Sequence, residues 1–458
     1  MKDKSKYIFP NIKPNYYGSS KDQISEFVLA DIIGEIKSGE RTYTDTSLIA
    51  AGYTYLGQFV AHDIVPSTTL FDRNISPNLN LDSLYGADIE PNPGYFDRFG
   101  RFKLTTTACS DSCGDTHEDI VRDANDKALI EDLRNDKNAI VSQLHLFWQQ
   151  LHNLILSELF QKEIDNNETI KQHSVNKVRN YVVFIFHKII KHDYLKKILH
   201  PSIYSLYCQK NQQFLYGEKR LMEDIPYEFS HAAFRFGHSM VRNNYRLNLN
   251  QANRKVDVKD LFLQKGKKQL TCKGIIDWRF FFNQYPFKTY FTDNAAVQEA
   301  NRIDRRIDYS MHQVPFIDQA IDIRKINIEA NLKANIATGL QVYKELNNEK
   351  VYPEISKLLK KEAKTYETLH FQKHTLPLWP YVLYEAELMN DTEGVLGLGL
   401  IGSILVAEVL MQSINNTKIE LEYEKPAVIQ QFITNNMPYE NDFTMHHVVN
   451  YLSKRKQQ

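Results

Sequence analysis

The sequence predicts a mostly α-helical protein that folds as one large domain. Its long segments repeat apolar residues at the 3.6-residue spacing of a helix, whereas the alternating pattern of half-buried strands is scarce. No internal repeat, low-complexity tract or linker interrupts the 458 residues. We therefore expect a single domain over residues 46–415, preceded by an extended arm (residues 1–45) and followed by an extension packed on the domain (residues 416–458).

The individual elements follow from local patterns. The arm is polar and contains Pro10, Pro14 and Gly18, which favour an extended surface segment. Residues 66–127 are rich in Pro, Asn and Gly and predict loops. Each expected helix is indicated by a capping signal or by apolar periodicity. These helices are 46–65, 138–164, 168–200, 228–243, several within 295–365 and two within 376–415.

One segment, residues 394–411 (GVLGLGLIGSILVAEVLM), is long and apolar enough in principle for a membrane span. It carries Glu408, begins with several glycines and has no companion segment of the same kind. A buried core helix is the preferred interpretation, and we expect no integral membrane span.

Charge and cysteine content limit the class of protein. The 56 basic and 56 acidic residues give zero formal net charge, which argues against nucleic acid as the main partner because phosphate binding needs a basic surface. The N-terminal lysines are not followed by an apolar core, so we expect no signal peptide and a cytoplasmic location, with non-standard secretion left open. The four cysteines are too few for a disulfide scaffold and favour reduced thiols; they are Cys109, Cys113, Cys208 and Cys272.

The motif GQFVAHD (residues 57–63) is a candidate for chemistry. Gln58 and His62 lie four residues apart, so on a helix they share a face and offer an amide and an imidazole to one pocket. Asp63 is about 100° further round the helix and points elsewhere. Taken alone the motif is weak, because most histidines beside an amide have no catalytic role.

A second motif, FRFGH (residues 234–238), combines an arginine, a glycine and a histidine. Arg235 and His238 share a helix face, and Gly237 removes a side chain beside His238, so that a flat ligand could approach closely. This combination suits haem, with the imidazole on iron and the guanidinium on a propionate. In isolation, an ordinary core histidine remains the simpler interpretation.

Two further polar residues become informative only in combination with these motifs. Arg134 precedes the long helix expected at 138–164, and alone it would be interpreted as one half of a surface salt bridge. Asn327 could accept a hydrogen bond from the far nitrogen of a ligating imidazole and so fix its tautomer.

The order of these segments resembles that of the animal haem peroxidases, in particular their compact bacterial branch. The resemblance extends from about residue 45 to about residue 415 and is most specific at GQFVAHD and FRFGH. The other segments that contribute to it are NLDSLYG, LRNDKNAIVSQLHLFWQQLHN, INIEANLKANIATGLQVYK, PLWPYVLYEAELM and VLGLGLIGSILVAEVLM.

The resemblance implies a mostly helical fold around a central b-type haem, and it assigns six roles. In a distal group, His62 is the acid–base histidine, Gln58 the accompanying glutamine and Arg134 the catalytic arginine. A proximal group then comprises the iron ligand His238, its hydrogen-bond partner Asn327 and the propionate-binding Arg235. The expected partners are hydrogen peroxide and a small electron donor, either organic or a halide.

The chain departs from the family pattern at three positions. Ala61 and Lys137 occupy the positions of the acids that form haem esters in many mammalian members, so we expect non-covalent haem b. Without ester bonds, phenols, iodide or an organic donor are better substrates than chloride. Ala330 replaces a second propionate-binding arginine, which leaves haem retention weaker.

The family also implies a calcium site, which this sequence supports only in part. The corresponding residues offer two carboxylates, because an asparagine occupies a position where an acid is usual, and fewer charges mean weaker calcium binding. An ion-free loop is an equally good interpretation. The candidate ligands are Asp63, Ser76, Asn78, Asn80 and Asp82.

Three other functions are compatible with parts of the pattern. A fatty-acid oxygenase of the same superfamily would carry a radical-forming tyrosine three residues before His238, where this chain has Arg235. A haem-binding sensor would need the proximal ligand but not the distal group. A haem-free scaffold would need neither.

Overall fold

The structure of the chain is a computed structural model and is mostly helical, as expected. By its internal contacts the chain divides into two units that are both assembled from separate stretches of sequence. The first unit contains residues 1–49, 194–243 and 299–416, and the second contains 50–193, 244–298 and 417–458. The structure describes residues 4–15, 26–39, 46–66, 76–86, 94–108, 116–212, 214–215, 224–248, 255–263, 274–282, 297–312, 314–316, 319–373, 376–417, 419 and 444–455.

The longer helices are numbered in chain order. Those of the second unit are α2 (Gly52–Ile64), α3 (Ala139–Asp165), α4 (Gln172–Ile189) and α12 (Met445–Arg455). Those of the first unit are α1 (Glu26–Glu35), α5 (Ala233–Met240, a 3₁₀-helix), α6 (Ile323–Lys333), α7 (Gly339–Leu346), α8 (Pro353–Lys361), α9 (Ala363–Lys373), α10 (Leu378–Glu393) and α11 (Leu400–Asn416).

Shorter elements connect these helices. Short helical segments are Lys4–Lys6, Asp82–Tyr85, Leu133–Asp136, Ile190–Tyr194, Leu195–Ile198, Pro201–Tyr204, Ser205–Gln209, Glu228–Ala232, Val258–Leu263, Arg279–Phe282 and Tyr309–His312. The described strands form two-stranded sheets that pair Thr46–Ala50 with Glu299–Asn301, Leu104–Ala108 with Thr116–Ile120, Asn244–Tyr245 with Val256–Asp257, and Val314–Phe316 with Gln319–Ile321.

An aromatic core fixes α2 against α3 and α4 in the second unit. The ring of Phe59 lies 6.3 Å from Trp148 and 6.1 Å from Phe186, and the latter two rings meet edge to face at 5.2 Å. All three side chains are fully buried. Burial of rings this large is worth several kcal/mol per side chain by area (about 25 cal/mol per Å²), so the face of α2 that carries Phe59 is tightly constrained.

The start of α2 differs from the sequence expectation. We expected a helix over 46–65, but residues 46–50 are a strand and the helix begins at Gly52. A Cβ atom on Gly52 would lie 2.6 Å from the carbonyl oxygen of Phe281. The close approach of another backbone therefore requires glycine where α2 begins, which single-sequence periodicity does not reveal.

The long helix α3 agrees closely with its expected bounds. Asn138 caps its first turn, since the Asn138 side-chain oxygen accepts from the amides of Ile140 and Val141. The backbone at Phe160 is not helical, so the last turn is offset from the rest of α3. The segment expected at 168–200 contains α4 and shorter helical turns rather than one continuous helix.

The apolar segment near residue 400 forms α11, a buried helix of the first unit, as the preferred interpretation held. Glu385 of α10 caps its N-terminus by accepting from the amides of Ile401 and Gly402. Among the described residues, no helix is long and apolar enough to cross a membrane.

The N-terminal arm is not wholly extended, which corrects that expectation. It contains the helix α1. The side chains of Ile32 in α1 and of Ile36 just after it are buried. Nearer the start, the amides of Ile8 and Phe9 both donate to the buried carboxylate of Glu228. Part of the N-terminal arm is therefore packed against the first unit, which the polar composition of residues 1–45 did not indicate.

Residues 228–243 and Cys208 both lie in the first unit. The helix expected at 228–243 is two short helical segments, with a break at Ala232 (φ −136°, ψ −83°) before α5. Cys208 is a buried thiol with its Sγ atom 3.8 Å from Sδ of Met411, consistent with a reduced cysteine. Cys109, Cys113 and Cys272 lie outside the described residues.

Candidate active site

The distal group lies in the second unit, and its members Gln58 and His62 are on the one face of α2 that is not buried. Gln58, Ala61 and His62 are partly exposed, whereas the other residues of α2 are buried. This is the face that the four-residue spacing places on one side of a helix. Asp63, the next residue, is fully buried on another side.

Asn135 orients the imidazole of His62. The Nδ1 atom of His62 lies 2.9 Å from Oδ1 of Asn135, and Nδ2 of Asn135 lies 3.1 Å from Nδ1 of His145. Because a carbonyl oxygen can only accept, the imidazole proton of His62 belongs on Nδ1, which leaves the Nε2 lone pair available. Asn135 was missed from the sequence, and its position directly after Arg134 is the only signal that could have indicated it.

The electrostatic surroundings keep His62 neutral. Burial, reinforced by the positive charge of Arg134, lowers the pKa of His62 to about 4. A neutral imidazole with a free Nε2 can accept a proton over the whole physiological pH range.

Arg134 is held by one carboxylate and by the end of α2. Its guanidinium forms a two-pronged pair with Asp132, with the closest N–O distance at 2.7 Å. It also donates to the backbone oxygens of Val65 (2.8 Å) and His62 (2.6 Å). Arg134 therefore places a positive charge at the C-terminal end of α2, where the carbonyl oxygens concentrate negative charge.

Gln58 has a weaker connection to the same region. Its side-chain oxygen accepts from Nδ2 of Asn138 at 3.4 Å. The same Asn138 caps α3, so one side chain links the start of α3 to the exposed face of α2. The structure thus brings together the three residues of the distal group.

The proximal group lies in the first unit. Asn327 of α6 is fully buried and lies between two side chains of α5. Its Nδ2 is 2.7 Å from Nδ1 of His238, and its Oδ1 accepts from Nη1 of Arg235 at 2.9 Å. Arg235 is held further by the backbone oxygen of Ser230, which accepts from its Nε atom at 3.0 Å.

The orientation of the Asn327 amide differs from the expected one. We expected its carbonyl oxygen to face His238, but the structure places the amide nitrogen there. The reason is Arg235, whose guanidinium only donates and therefore attracts the oxygen end of the amide. A half-turn of the amide exchanges its two ends without changing its shape.

The proximal residues fit a haem iron. Burial lowers the pKa of His238 to about 3, with a further contribution from Arg235, so the imidazole is neutral and able to ligate a metal. The side chain of His238 is nevertheless partly exposed, and a Cβ atom built on the adjacent Gly237 would meet nothing within 4 Å. The α5 surface thus has open space beside its histidine, as a planar ligand requires.

The candidate calcium ligands make hydrogen bonds to the backbone and to one another. Both carboxylate oxygens of Asp63 accept backbone N–H groups, from Leu81 at 3.0 Å and from Ser83 at 2.9 Å. Burial and the nearby charge of Asp82 raise the pKa of Asp63 to about 7.

The second carboxylate of this loop already has a positive partner. Asp82 accepts from the amide and hydroxyl of Ser76 and lies 3.4 Å from Nη2 of Arg179. Asn80 donates to the Ser76 hydroxyl, and the backbone oxygen of Asn78 accepts from the Asn80 amide. Within the described part of the chain, no group of three or more His, Cys, Asp or Glu residues could hold a metal ion.

Solved structures with the same fold include one peroxidase and several oxygenases. Peroxidase A from Dictyostelium discoideum matches with a TM-score of 0.60 and 14% identity, over 95% of this chain and 93% of that chain. Fatty acid alpha-dioxygenase of Oryza sativa matches with a TM-score of 0.57 and 11% identity, over 97% and 81% of the two chains. Fatty acid alpha-dioxygenase of Arabidopsis thaliana matches with a TM-score of 0.53 and 12% identity, over 91% of this chain and 76% of that chain.

Sequence comparison identifies the family. No curated protein sequence gives a significant match. The sequence pattern of the animal haem peroxidases matches residues 98–328, which is half of the chain and includes Arg134, the FRFGH motif and Asn327. The structural matches independently show the corresponding fold. The chain therefore belongs to the animal haem peroxidase family.

Proposed function

We propose that the chain is a haem-dependent peroxidase that reduces hydrogen peroxide to water while it oxidises a small organic donor or a halide. The observation that carries the proposal is the state of His62. Its Nδ1 is occupied by Asn135, its Nε2 is free, and it is neutral on the accessible face of α2. The cationic Arg134 lies beside it and donates to the backbone oxygen of His62.

The proton transfers follow from the geometry of the distal group. Nε2 of His62 accepts a proton from one peroxide oxygen and donates it to the other, so that the O–O bond breaks with water as the leaving group. The positive charge of Arg134 stabilises the negative charge that develops during this step. Overall, two electrons and two protons from the donor, together with one peroxide molecule, give two molecules of water.

A haem, when bound, supplies the redox-active iron, and His238 is the residue that would ligate it. If Nε2 of His238 held the iron, the imidazole proton would lie on Nδ1, and only the carbonyl end of Asn327 could accept it there. The Asn327 amide would then turn by half a rotation, and Arg235 would release that oxygen. The guanidinium of Arg235 would be free to hold a propionate group of the cofactor.

The donor class is the principal test of this proposal, because solved structures of the same fold include fatty acid alpha-dioxygenases. Haem-loaded protein should oxidise a phenol or iodide when peroxide is added, and it should consume no oxygen with a long-chain fatty acid. Arg235, at the position of the radical-forming tyrosine, supports this expectation. Oxygen uptake with formation of an oxygenated fatty acid would instead establish the dioxygenase alternative.

Replacing His238 by glycine should remove iron ligation. We expect weak haem binding and loss of the histidine-ligated absorption spectrum, because the described proximal group offers the iron one imidazole. Added imidazole should restore the spectrum by filling the space left by the side chain. Normal haem binding by His238→Gly would show that another residue is the ligand. The exposed His173 provides a control, and His173→Gly should bind haem normally.

The haem should be extractable. Neither Ala61 nor Lys137 can form an ester, so acidified organic solvent should separate the cofactor from the polypeptide completely. Absorbance of the two phases measures this partition. Haem that stays with the denatured polypeptide would contradict non-covalent binding.

We also propose that the loop at Ser76–Asp82 is stabilised by Arg179 in place of calcium. A calcium chelator should then leave the unfolding temperature of the haem-free protein unchanged. Arg179→Gln should lower that temperature, because Asp63 and Asp82 would keep their mutual repulsion without a counter-charge. Arg98→Gln, at an exposed position, is the control. A lower unfolding temperature with chelator, restored by calcium, would overturn this proposal.

A further inference from the structure

Four side chains of the first unit form a contiguous aromatic group, which we call the tyrosine cluster: Tyr343, Tyr366, His370 and Tyr381. The ring centroids of Tyr343 and Tyr366 are 4.7 Å apart, and those of Tyr343 and His370 are 4.5 Å apart. His370 stacks against Tyr381 at 6.1 Å. The proposed peroxide chemistry makes no use of these residues.

Each of the two fully buried phenols in the tyrosine cluster lies beside a base. The hydroxyl of Tyr366 donates to Oε1 of Glu385 at 2.5 Å, and the hydroxyl of Tyr381 is 2.9 Å from Nε2 of His370. Burial raises the pKa of Glu385 to about 6 and lowers that of His370 to about 4. Near neutral pH, Glu385 and neutral His370 can therefore both accept a proton.

A base beside a buried phenol matters for electron transfer. Loss of one electron makes a phenolic proton strongly acidic, so a tyrosine is oxidised readily only if a neighbouring group takes the proton at the same time. Tyr366 and Tyr381 are nearly inaccessible to solvent (1% and 0% exposed), so water cannot fill this role. Glu385 and His370 are positioned to do so.

The tyrosine cluster is connected to the proximal group through α10. The indole Nε1 of Trp379 donates to the backbone oxygen of Arg235 at 3.3 Å, and the Trp379 amide donates to Oδ1 of Asn331 at 2.9 Å. Asn331 lies one turn after Asn327 on α6. Trp379 is itself fully buried and lies two residues before Tyr381. An oxidisable indole thus contacts the FRFGH segment from the same helix that carries Tyr381.

At its other end the tyrosine cluster reaches the protein surface. Tyr343 is partly exposed, and the neighbouring Lys344 is exposed. Tyr343 is therefore the tyrosine of the cluster that a dissolved molecule could approach, beside the partly exposed His370.

We propose that Trp379 and the tyrosine cluster conduct oxidising equivalents from a His238-ligated haem to Tyr343, where donors too large to approach the haem are oxidised. This inference rests on the proposed peroxidase function and adds a second donor class to it, namely bulky phenols or redox proteins. Tyr366 and Tyr381 are relay residues, and Tyr343 is the site of donor oxidation.

The electrons and protons balance in one-electron steps. With a haem held by His238 as the electron acceptor, Tyr366 would lose one electron by way of Trp379, and its proton would pass to Glu385. An electron from Tyr343 then restores Tyr366, which recovers its proton from Glu385, while the Tyr343 proton passes to solvent. A donor phenol gives an electron and a proton to Tyr343 and leaves as a radical. Two such cycles consume the two oxidising equivalents of one peroxide molecule.

The test detects the radicals directly. Haem-loaded full-length protein is mixed with hydrogen peroxide without donor, frozen within milliseconds and examined by electron paramagnetic resonance. We expect a tyrosyl signal that narrows when the protein contains ring-deuterated tyrosine. The signal should be lost or strongly changed in Tyr366→Phe and Tyr343→Phe, but retained in Tyr207→Phe. Tyr207 is an equally buried tyrosine of the same unit that lies outside the cluster.

Donor size provides a second readout. In Tyr343→Phe, the ratio of the oxidation rate of ferrous cytochrome c to that of a small phenol should fall, whereas Tyr207→Phe should keep the wild-type ratio. Changes of the haem spectrum with peroxide, without any tyrosyl signal and with an unchanged ratio, would overturn the relay and leave the peroxidase function standing. No spectral change with peroxide at all would overturn the peroxidase function itself.

Discussion

Replacing His62 by alanine should slow the reaction of the haem-loaded protein with hydrogen peroxide by about 10²–10⁴-fold, the usual contribution of a general acid–base group. The reason is the loss of the one neutral imidazole on the accessible face of α2. Stopped-flow absorbance of the haem band, at increasing peroxide concentrations, measures the bimolecular rate constant. His173→Ala, which changes an exposed histidine of the same unit, should react like the wild type.

The pH dependence of the same rate constant identifies the group. Since neutral His62 accepts the proton, the rate should stay near its maximum as the pH falls and decline only near pH 4, the pKa to which burial lowers this histidine. A free histidine would instead lose activity near pH 6.5. Asn135→Leu should react at a rate between those of the wild type and His62→Ala, because the imidazole would no longer be fixed with its proton on Nδ1. An unchanged rate in His62→Ala would remove His62 from the mechanism.

Replacing Arg134 by alanine should destabilise the second unit by about 3–5 kcal/mol, the usual effect of breaking a buried ion pair. Asp132 has a fully buried side chain that would be left without its guanidinium partner. Burial alone would raise the pKa of Asp132, but the hydrogen bonds and charge of Arg134 lower it. The carbonyl groups of His62 and Val65 would also lose a donor.

Chemical denaturation of the haem-free protein measures this effect without interference from the cofactor. Asp132→Asn combined with Arg134→Gln should recover most of the lost stability, because a neutral pair leaves no buried charge. Arg134→Lys keeps the charge but loses the bidentate geometry. Its stability should lie between that of Arg134→Ala and that of the double variant. Wild-type stability in Arg134→Ala would show that the ion pair has no structural role, and reduced peroxide reactivity would then report catalysis alone.

Spacing along one helix was predictable from the sequence, whereas contacts between distant segments were not. The shared face of Gln58 and His62 follows from a four-residue interval, and α3 follows from an unbroken periodicity. Asn135 meets His62 across 73 residues of chain, so no local pattern indicates the contact. The strand before α2 likewise depends on a distant partner strand.

The proximal group illustrates the same limit in a different way. The resemblance paired Asn327 with His238, and in the structure the two side chains are 2.7 Å apart. It did not indicate which end of the amide faces the imidazole, because that choice depends on competition with Arg235 for the oxygen. Residue identity is thus more predictable from a family pattern than hydrogen-bond direction.

The interleaving of the two units has a consequence for biosynthesis. The first unit joins Tyr7 to Ala334 across 327 positions, and the second joins Asp193 to Met445 across 252. A chain that leaves the ribosome from its N-terminus can therefore complete neither unit until most of its residues have been made. The His238–Asn327 contact can form no earlier than the emergence of α6. Cofactor loading should accordingly follow translation, and nascent chains shorter than about 330 residues should not retain haem.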